Sequence, residues 1–515
     1  MLNRILTVVM LSLFLGSAVV AENRPNIVFI LADDMGRDSI QANNTEFKVP
    51  TPCLDRLVSE GINFTDAHSG SSVCTPTRYG LLTGRHCWRT PSKFSVLWDW
   101  YPSLIEPQRL TLPEMLKAQG YRTAMVGKWH LGMDWELKES GFIRDALDWH
   151  EHDFTASNKN RKTKDFDWKR IDFSKPFRGG PTDHGFDYFF GLDLPNFPPY
   201  TWMEQDRVLE IPTILREQSV YKTGKTGPAT KDFDPVKILP RLTQEAVGYL
   251  EKAATSKQPF FLYVPLTSPH APIAPSERFL GKSGVNPYAD FIMQTDWSAG
   301  EIIKAIDRSG LKDNTIVIFS TDNGSTRDGI RSIKNDGGGR LDNQVRGGKT
   351  EIFEGGHRVP FILRWPGKAP AGSICEETFC LTDMMATFAE LTGYRLADGD
   401  AVDSHSVLPL FSGGQRERTP SVIHHSIKGE LSIREGNYKL LFFYKNRAER
   451  TDLTAELYDL SRDQREEENI LPEHPEIGKR LSETLQTIIR EGRSTPGPNQ
   501  KDSVNPFWDP AQFSL

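Results

Sequence analysis

Several short stretches of this chain carry polar residues that a folded core has no use for. Asp33-Asp34 directly follows the apolar run Asn26 to Leu31, and Asp322-Asn323 follows Thr315 to Ser320. Together they offer only hard oxygen donors, which suits calcium or magnesium and argues against zinc or copper. Spacing alone does not choose between the first two. Lys128 and His130 stand two apart after Tyr121, so an extended chain turns both to one side. His270 follows the apolar run Pro259 to Leu266, and Lys349 follows a glycine-rich loop, Gly337 to Gly348. Cations gathered around one point, with or without a metal ion, stabilise negative charge that shifts among oxygens during a group transfer.

A further stretch, Ser71 to Arg85, reads as a loop running into a helix. Pro76 suits a first helical turn, where its missing N–H is no loss. Cys74 is then expected just before the helix N-terminus, where unpaired N–H groups favour an anion. Arg78 is expected one turn on, on the same side, where it can orient whatever Cys74 carries. Singly, each of these features has a plain structural reading: a buried thiol for Cys74, a capping pair for Asp33-Asp34, a glycine turn for Asp322-Asn323-Gly324. Asn323-Gly324-Ser325 also fits a glycosylation acceptor, which burial of the site would silence. Their joint position at strand ends is what a structural reading does not explain.

The pattern C-x-P-x-R at Cys74, Pro76 and Arg78, with the run closing on Thr83-Gly84-Arg85, resembles the signature of the formylglycine sulfatases. The likeness runs from Asn26 to about Leu460 and includes Asp403 to Leu410 and Glu456 to Leu460. It departs at His405, where the family usually has an aliphatic residue or serine. The resemblance implies that a formylglycine-generating maturation enzyme oxidises Cys74 to 3-oxoalanine, whose hydrate is the nucleophile. It implies Ca²⁺ ahead of Mg²⁺, bound by Asp33, Asp34, Asp322, Asn323 and the modified Cys74. Arg78, Lys128, His130, His270 and Lys349 are then the remaining catalytic residues, with His270 or Lys349 protonating the leaving alcohol and His130 with Lys128 attending the formylglycine hydroxyls. The sequence looks most like the arylsulfatase A and N-acetylgalactosamine-6-sulfatase branch. That implies an exo-acting enzyme on sulfated saccharides, with aryl sulfates as artificial substrates. Trp98, Trp100, Tyr101 and Trp202 could stack on sugar rings, with core packing the expected role for any one of them. Two alternatives remain: a phosphonate monoester or phosphodiester hydrolase of the same fold, and a protein with unmodified Cys74 that only binds sulfated glycans.

The elements that must position these residues alternate as strand and helix, which gives an α/β fold with a mainly parallel central sheet flanked by helices. The resemblance makes it alkaline-phosphatase-like. In such sheets ligands gather beyond the carboxyl ends of the strands, where Asp33, Asp34, Lys128, His130, His270, Asp322 and Asn323 all fall. Expected helices include Thr51 to Glu60, Leu112 to Gln119, about Leu242 to Ala254 and Tyr288 to Arg308. Residues 1–21 read as a signal peptide, 22–415 as the catalytic domain and 416–515 as a smaller α+β domain with an antiparallel sheet. The protein is therefore expected to be secreted or periplasmic and not to span a membrane once the signal is cleaved. The stretch Glu151 to Gly180 reads as a charged surface excursion. Net charge is −6 without a basic stripe, so no nucleic-acid partner is expected. Setting Cys74 aside leaves Cys53, Cys87, Cys375 and Cys380, an even number that an oxidising compartment could pair; Cys375 and Cys380 are close enough in sequence for it. Of the remaining histidines, His68, His86, His424 and His425 read as structural or surface residues.

Overall fold

The computed structural model describes residues 24–149, 162–217, 224–342, 344–447, 449–501 and 509–515. The expected signal peptide lies outside the described residues. An eleven-stranded sheet divides the molecule. In chain order its strands are β1 (Asn26–Asp33), β2 (Ile62–His68), β3 (Arg122–Lys128), β4 (Tyr188–Leu192), β5 (Met203–Glu204) and β6 (Arg207–Val208). A separate ribbon, β7 (Ile214–Arg216) with β8 (Gly227–Ala229), comes next. The sheet resumes with β9 (Phe260–Pro269), β10 (Thr315–Thr321), β11 (Arg358–Arg364), β12 (Ser373–Cys375) and β13 (Phe379–Cys380). Spatial order is β12-β2-β11-β10-β1-β9-β3-β4-β5-β6, with β13 also beside β2. The central strands β10, β1, β9, β3 and β4 are parallel neighbours, whereas β11 with β2 and β5 with β6 add antiparallel flanks.

The continuous apolarity of β1 has a direct cause: Ile27, Phe29 and Leu31 enter one core layer, and Val28, Ile30 and Ala32 the other. Helices α1 (Pro52–Glu60), α2 (Cys74–Thr83), α3 (Leu112–Ala118), α4 (Ile143–Ala146), α5 (Pro235–Ala253), α6 (Pro287–Arg308), α7 (Arg327–Asn335), α8 (Glu354–His357) and α9 (Met384–Thr392) supply the cover. Residues of α1, α5 and α6 fill one layer and residues of α2, α3 and α9 the other. Helix α5 starts at Pro235 rather than near Leu242. Asp234 caps it by accepting from Val236 N–H, and the helix carries Pro240 inside it.

Beyond α9 come β14 (Val422–His425), β15 (Leu431–Glu435), β16 (Tyr438–Asn446) and β17 (Thr451–Asp459), an antiparallel sheet as expected. Ile423, Leu431, Ile433, Leu440 and Phe442 pack on Leu481, Leu485 and Ile488 of α10 (Pro475–Glu491). Among the described residues no helix is long and apolar enough to cross a membrane.

Two expectations are corrected. The stretch ending at Gly180, described from residue 162, is not a plain surface excursion, because Ile171, Phe173 and Phe177 are buried in the core. Cys375 and Cys380 are free, as are Cys53, Cys74 and Cys87. The sheet explains why. Cys375 is paired with Phe64 and Cys380 with His68 of the same strand, about 13 Å apart along it, well beyond the Cα separation a disulfide spans.

Candidate active site

Asp33 is the last residue of β1, Lys128 the last of β3, and Asp322-Asn323 directly follows β10, so parallel strands deliver them to one edge. Asp34 and His130 lie in the left-handed region, at φ 68° and 56°. Such backbone persists only where its surroundings hold it. The Asp34 N–H donates to Asp322 Oδ1 at 3.2 Å, and the His130 N–H donates to Asp193 Oδ1 at 3.0 Å.

Cys74 is the first residue of α2, after the extended Val73, and so sits inside the helix rather than just before it. Arg78 follows one turn later, fully buried. Its Nε and Nη2 donate to Asp322 Oδ2 at 3.1 and 2.6 Å, and its Nη1 to the Lys128 carbonyl at 3.0 Å. It thereby ties α2 to β10 and β3 at the point where Cys74 emerges. Lys128 Nζ donates to Asp33 Oδ2 at 2.6 Å, and Lys349 Nζ to Asp34 Oδ2 at 2.8 Å. His270 Nε2 stands 3.8 Å from the same Asp34 oxygen, and Asn323 Nδ2 donates to Asp34 Oδ1 at 2.8 Å. These contacts bring together Asp33, Asp34, Arg78, Lys128, His270, Asp322, Asn323 and Lys349, while the His130 ring is set by the Leu97 carbonyl, 3.0 Å from its Nε2.

Donor atoms of Asp33, Cys74 and Asp322 lie within 4.8 Å of one another, as do those of Asp33, Asp34 and His270. Asp33 Oδ1 and Asn323 Oδ1 are buried without a hydrogen-bond partner among the described residues. Buried oxygens left open in this way cost stability unless something fills them. A hard cation fits these donors in chemistry and in burial.

Burial pushes the Asp33 carboxyl up, but Lys128, His270, Arg78 and Lys349 outweigh it and hold Asp33 well below the usual carboxylate range. Burial, with Asp33 next to it, pushes Asp322 up to about 7. Burial and then Lys349 depress His270 to about 4, and burial and Lys128 take His130 lower than an ordinary histidine. Both rings are neutral at neutral pH. Burial also raises the Cys74 thiol. An unmodified Cys74 is therefore no thiolate nucleophile.

Asp193 is a residue the sequence reading missed. It follows β4, supports His130, and burial pushes its carboxyl up to about 7. Its signal was present: Phe189-Phe190-Gly191-Leu192-Asp193 repeats the apolar-run-then-acid pattern of β1. Most of the aromatic stacking candidates take the core role expected of them. Trp100 and Tyr101 are 4% and 1% exposed and belong to the core, while Trp202 stacks on Phe190 at 5.2 Å. Trp98 is half-buried and packs with Ile427 against Val73, Cys74 and Val96. His405 meets Ser494 Oγ through its ring at 3.4 Å. His68, His86, His424 and His425 are all buried.

Hard oxygen donors ringed by two lysines, an arginine and two histidines, at the carboxyl edge of a parallel sheet, are the layout of an enzyme that hydrolyses esters of a strong oxyacid. The chain belongs to the sulfatase family, whose model matches residues 25–394; a second model, for the N-sulphoglucosamine sulphohydrolase C-terminal region, matches residues 348–491. It is a sulfuric ester hydrolase. It is 31% identical to an N-acetylgalactosamine-6-O-sulfatase of Bacteroides thetaiotaomicron, across 90% of this chain and 93% of that one. It is 29% identical to arylsulfatase A of Bos taurus, across 93% and 89%. A solved structure titled for the metabolism of multiple glycosaminoglycans by Bacteroides thetaiotaomicron superposes with a TM-score of 0.75 at 28% identity, covering 90% of this chain and 99% of the other.

Proposed function

We propose that this sulfatase removes sulfate from the terminal sugar of sulfated carbohydrates, using a formylglycine made from Cys74 and a bound calcium ion. The observation that carries the reading is the meeting of Cys74 with Asp33 and Asp322 where Asp33 Oδ1 and Asn323 Oδ1 are left open. Ca²⁺ bound by Asp33, Asp34, Asp322, Asn323 and the modified residue 74 would set positive charge against the sulfate oxygens and acidify a hydroxyl beside it. A formylglycine hydrate supplies two hydroxyls on one carbon, one to attack sulfur and one whose deprotonation returns the aldehyde and expels sulfate.

The chain's own residues do the rest. Lys128 and Lys349 each pair with one carboxylate of the cluster and lie where they offset the sulfate's charge. Arg78 holds Asp322 in place with two donors. His130, with Nδ1 lacking a hydrogen-bond partner among the described residues, can accept a hydrogen bond from a hydroxyl there. His270 and Lys349 stand together at Asp34; with His270 depressed to about 4, Lys349 is the one that holds a proton for the leaving oxygen.

The relatives named as N-acetylgalactosamine-6-sulfatases support a sulfated sugar as substrate. The reading also includes a maturation enzyme as partner and a secreted or periplasmic location. Two measurements test it. The mass of the Cys74 peptide should report conversion of the thiol to the aldehyde. Sulfate should be released from 6-O-sulfated N-acetylgalactosamine and from an aryl sulfate, with a phosphonate monoester turned over far more slowly. Activity on the aryl ester alone defeats the sugar assignment; preference for the phosphonate defeats the sulfatase mechanism.

A further inference from the structure

The turn carrying Lys349 is held from outside the eleven-stranded sheet. Arg434 of β15 and Lys439 of β16 are direct cross-strand partners, and both are buried. Adjacent like charges on a sheet repel unless each finds an anion. Lys439 Nζ lies 2.9 Å from Glu354 Oε1, 2.8 Å from Glu466 Oε1, 3.0 Å from His357 Nε2 and 3.2 Å from the Ile352 carbonyl. Arg434 grips Asp66 of β2 with both terminal nitrogens, at 3.0 and 2.7 Å.

Between the two cations runs a line of ring contacts: His357 Nε2 stands 3.0 Å from both Lys439 Nζ and the Ile352 carbonyl, His357 Nδ1 3.0 Å from His68 Nδ1, and His68 Nε2 3.1 Å from Asp66 Oδ1. His424 stacks on His357 at 3.7 Å and 11°, so the in-plane lone pairs of those rings run side by side and do not converge on an ion. The cluster is a tie between sheets. Ile352 and Phe353 of the turn also pack on Leu441 and Phe443, which alternate onto the Lys439 face of β16.

A second hold lies next to Lys349. Thr350 is β-branched and has φ 80°, where such a residue is a true outlier. Its N–H donates to the Ser72 carbonyl at 2.9 Å, and its own carbonyl accepts from Arg447 Nη2 at 3.2 Å. Arg447 is anchored in turn on Glu430. The Ser72 N–H donates to the His425 carbonyl at 2.8 Å, and Ser71 Oγ to the same carbonyl at 3.0 Å. Both arms, Ser71 to Cys74 and Lys349 to His357, hang from the four-stranded sheet and the residues that follow its strands.

We infer that the four-stranded sheet is the jig that sets the placement of Lys349 against Cys74, with Lys439 and Arg447 as positioning residues for the Lys349 turn and His425 for the arm entering α2. The inference rests on the roles proposed above for Cys74 and Lys349.

Arg447→Ala and Lys439→Gln in the full chain test it, beside Leu485→Ala, which loosens α10 on the same sheet without touching either arm. For the first two, kcat on an aryl sulfate is expected to fall about tenfold or more, the worth of one hydrogen bond to a charged group, with KM little changed. Amide exchange in the peptide covering Lys349 to His357 should rise by about the same factor while α5 stays protected. Arg447→Lys should recover most of the loss. An equal fall in kcat for Leu485→Ala, or unchanged exchange in the turn, overturns the inference. Should Lys439→Gln not fold, Arg447→Ala still decides, since that side chain is 38% exposed. Wild-type protein that releases no sulfate defeats the sulfatase reading instead, and the exchange measurement then judges the tie by itself.

Discussion

Arg78 illustrates how far residue types and spacing reach. Its place one turn after Cys74 followed from helical periodicity, but its partner did not: it clamps Asp322, hundreds of positions away in the chain. Buried ion pairs of this kind cost much when halved, because the survivor is left charged in an apolar setting. Arg78→Met is therefore expected to lower unfolding free energy by about 3–5 kcal/mol, measured by urea denaturation, and to abolish sulfate release. Arg78→Lys keeps the charge but loses the fork that offers Asp322 two donors, and should fall between. Asp193 went unnoticed because the apolar run before it is short and broken by Gly191, so the pattern it shares with β1 is faint. Only the fold showed that it supports the backbone of His130.

At the scale of elements, the site depends on places where backbones approach more closely than a side chain permits. A Cβ on Gly127 would lie 1.9 Å from the Pro265 carbonyl oxygen, and one on Gly324 would lie 1.8 Å from that of Gly355. The first contact sets β3, and hence Lys128, against β9. The second lets the Asp322-Asn323 turn meet the turn that carries Lys349. Gly127→Ala and Gly324→Ala should each cost about 1–3 kcal/mol by overpacking, with a larger loss of kcat than of binding; thermal melts and initial rates check both halves. Strand positions were legible because a strand covered on both faces must be apolar throughout. The start of α5 was hidden by Pro240, and the burial of Ile171, Phe173 and Phe177 by the charged residues between them. The missing Cys375–Cys380 link follows from strand register, which chain proximity does not encode.

Across the whole molecule, histidines sealed away from water weaken the fold in acid, while buried carboxyls pushed up to about 7, Asp193, Asp322 and Glu466, act in the opposite sense. Burial depresses His86, His184 and His425 each to about 4, against about 6.5 in an unfolded chain. A folded-state value below the unfolded one means that stability is fully present above pH 6.5 and is lost as pH falls towards 4. Each group contributes up to roughly 3 kcal/mol over that window. His184→Gln should therefore lose less stability than the unaltered protein between pH 7 and pH 5, read as the change in urea midpoint over that interval; an equal or larger loss in the variant would contradict it.

Every residue of α2 is inaccessible in the folded protein, Cys74 and Arg78 included. Any enzyme that must grip the peptide around position 74 can do so only while that peptide is still a loose strand of newly made chain. Under the proposed maturation, oxidation of Cys74 would come first and closure of the sheet second. Molecules that closed before it would be folded and inert, and unfolding them in the presence of the modifying enzyme would be the way to rescue them.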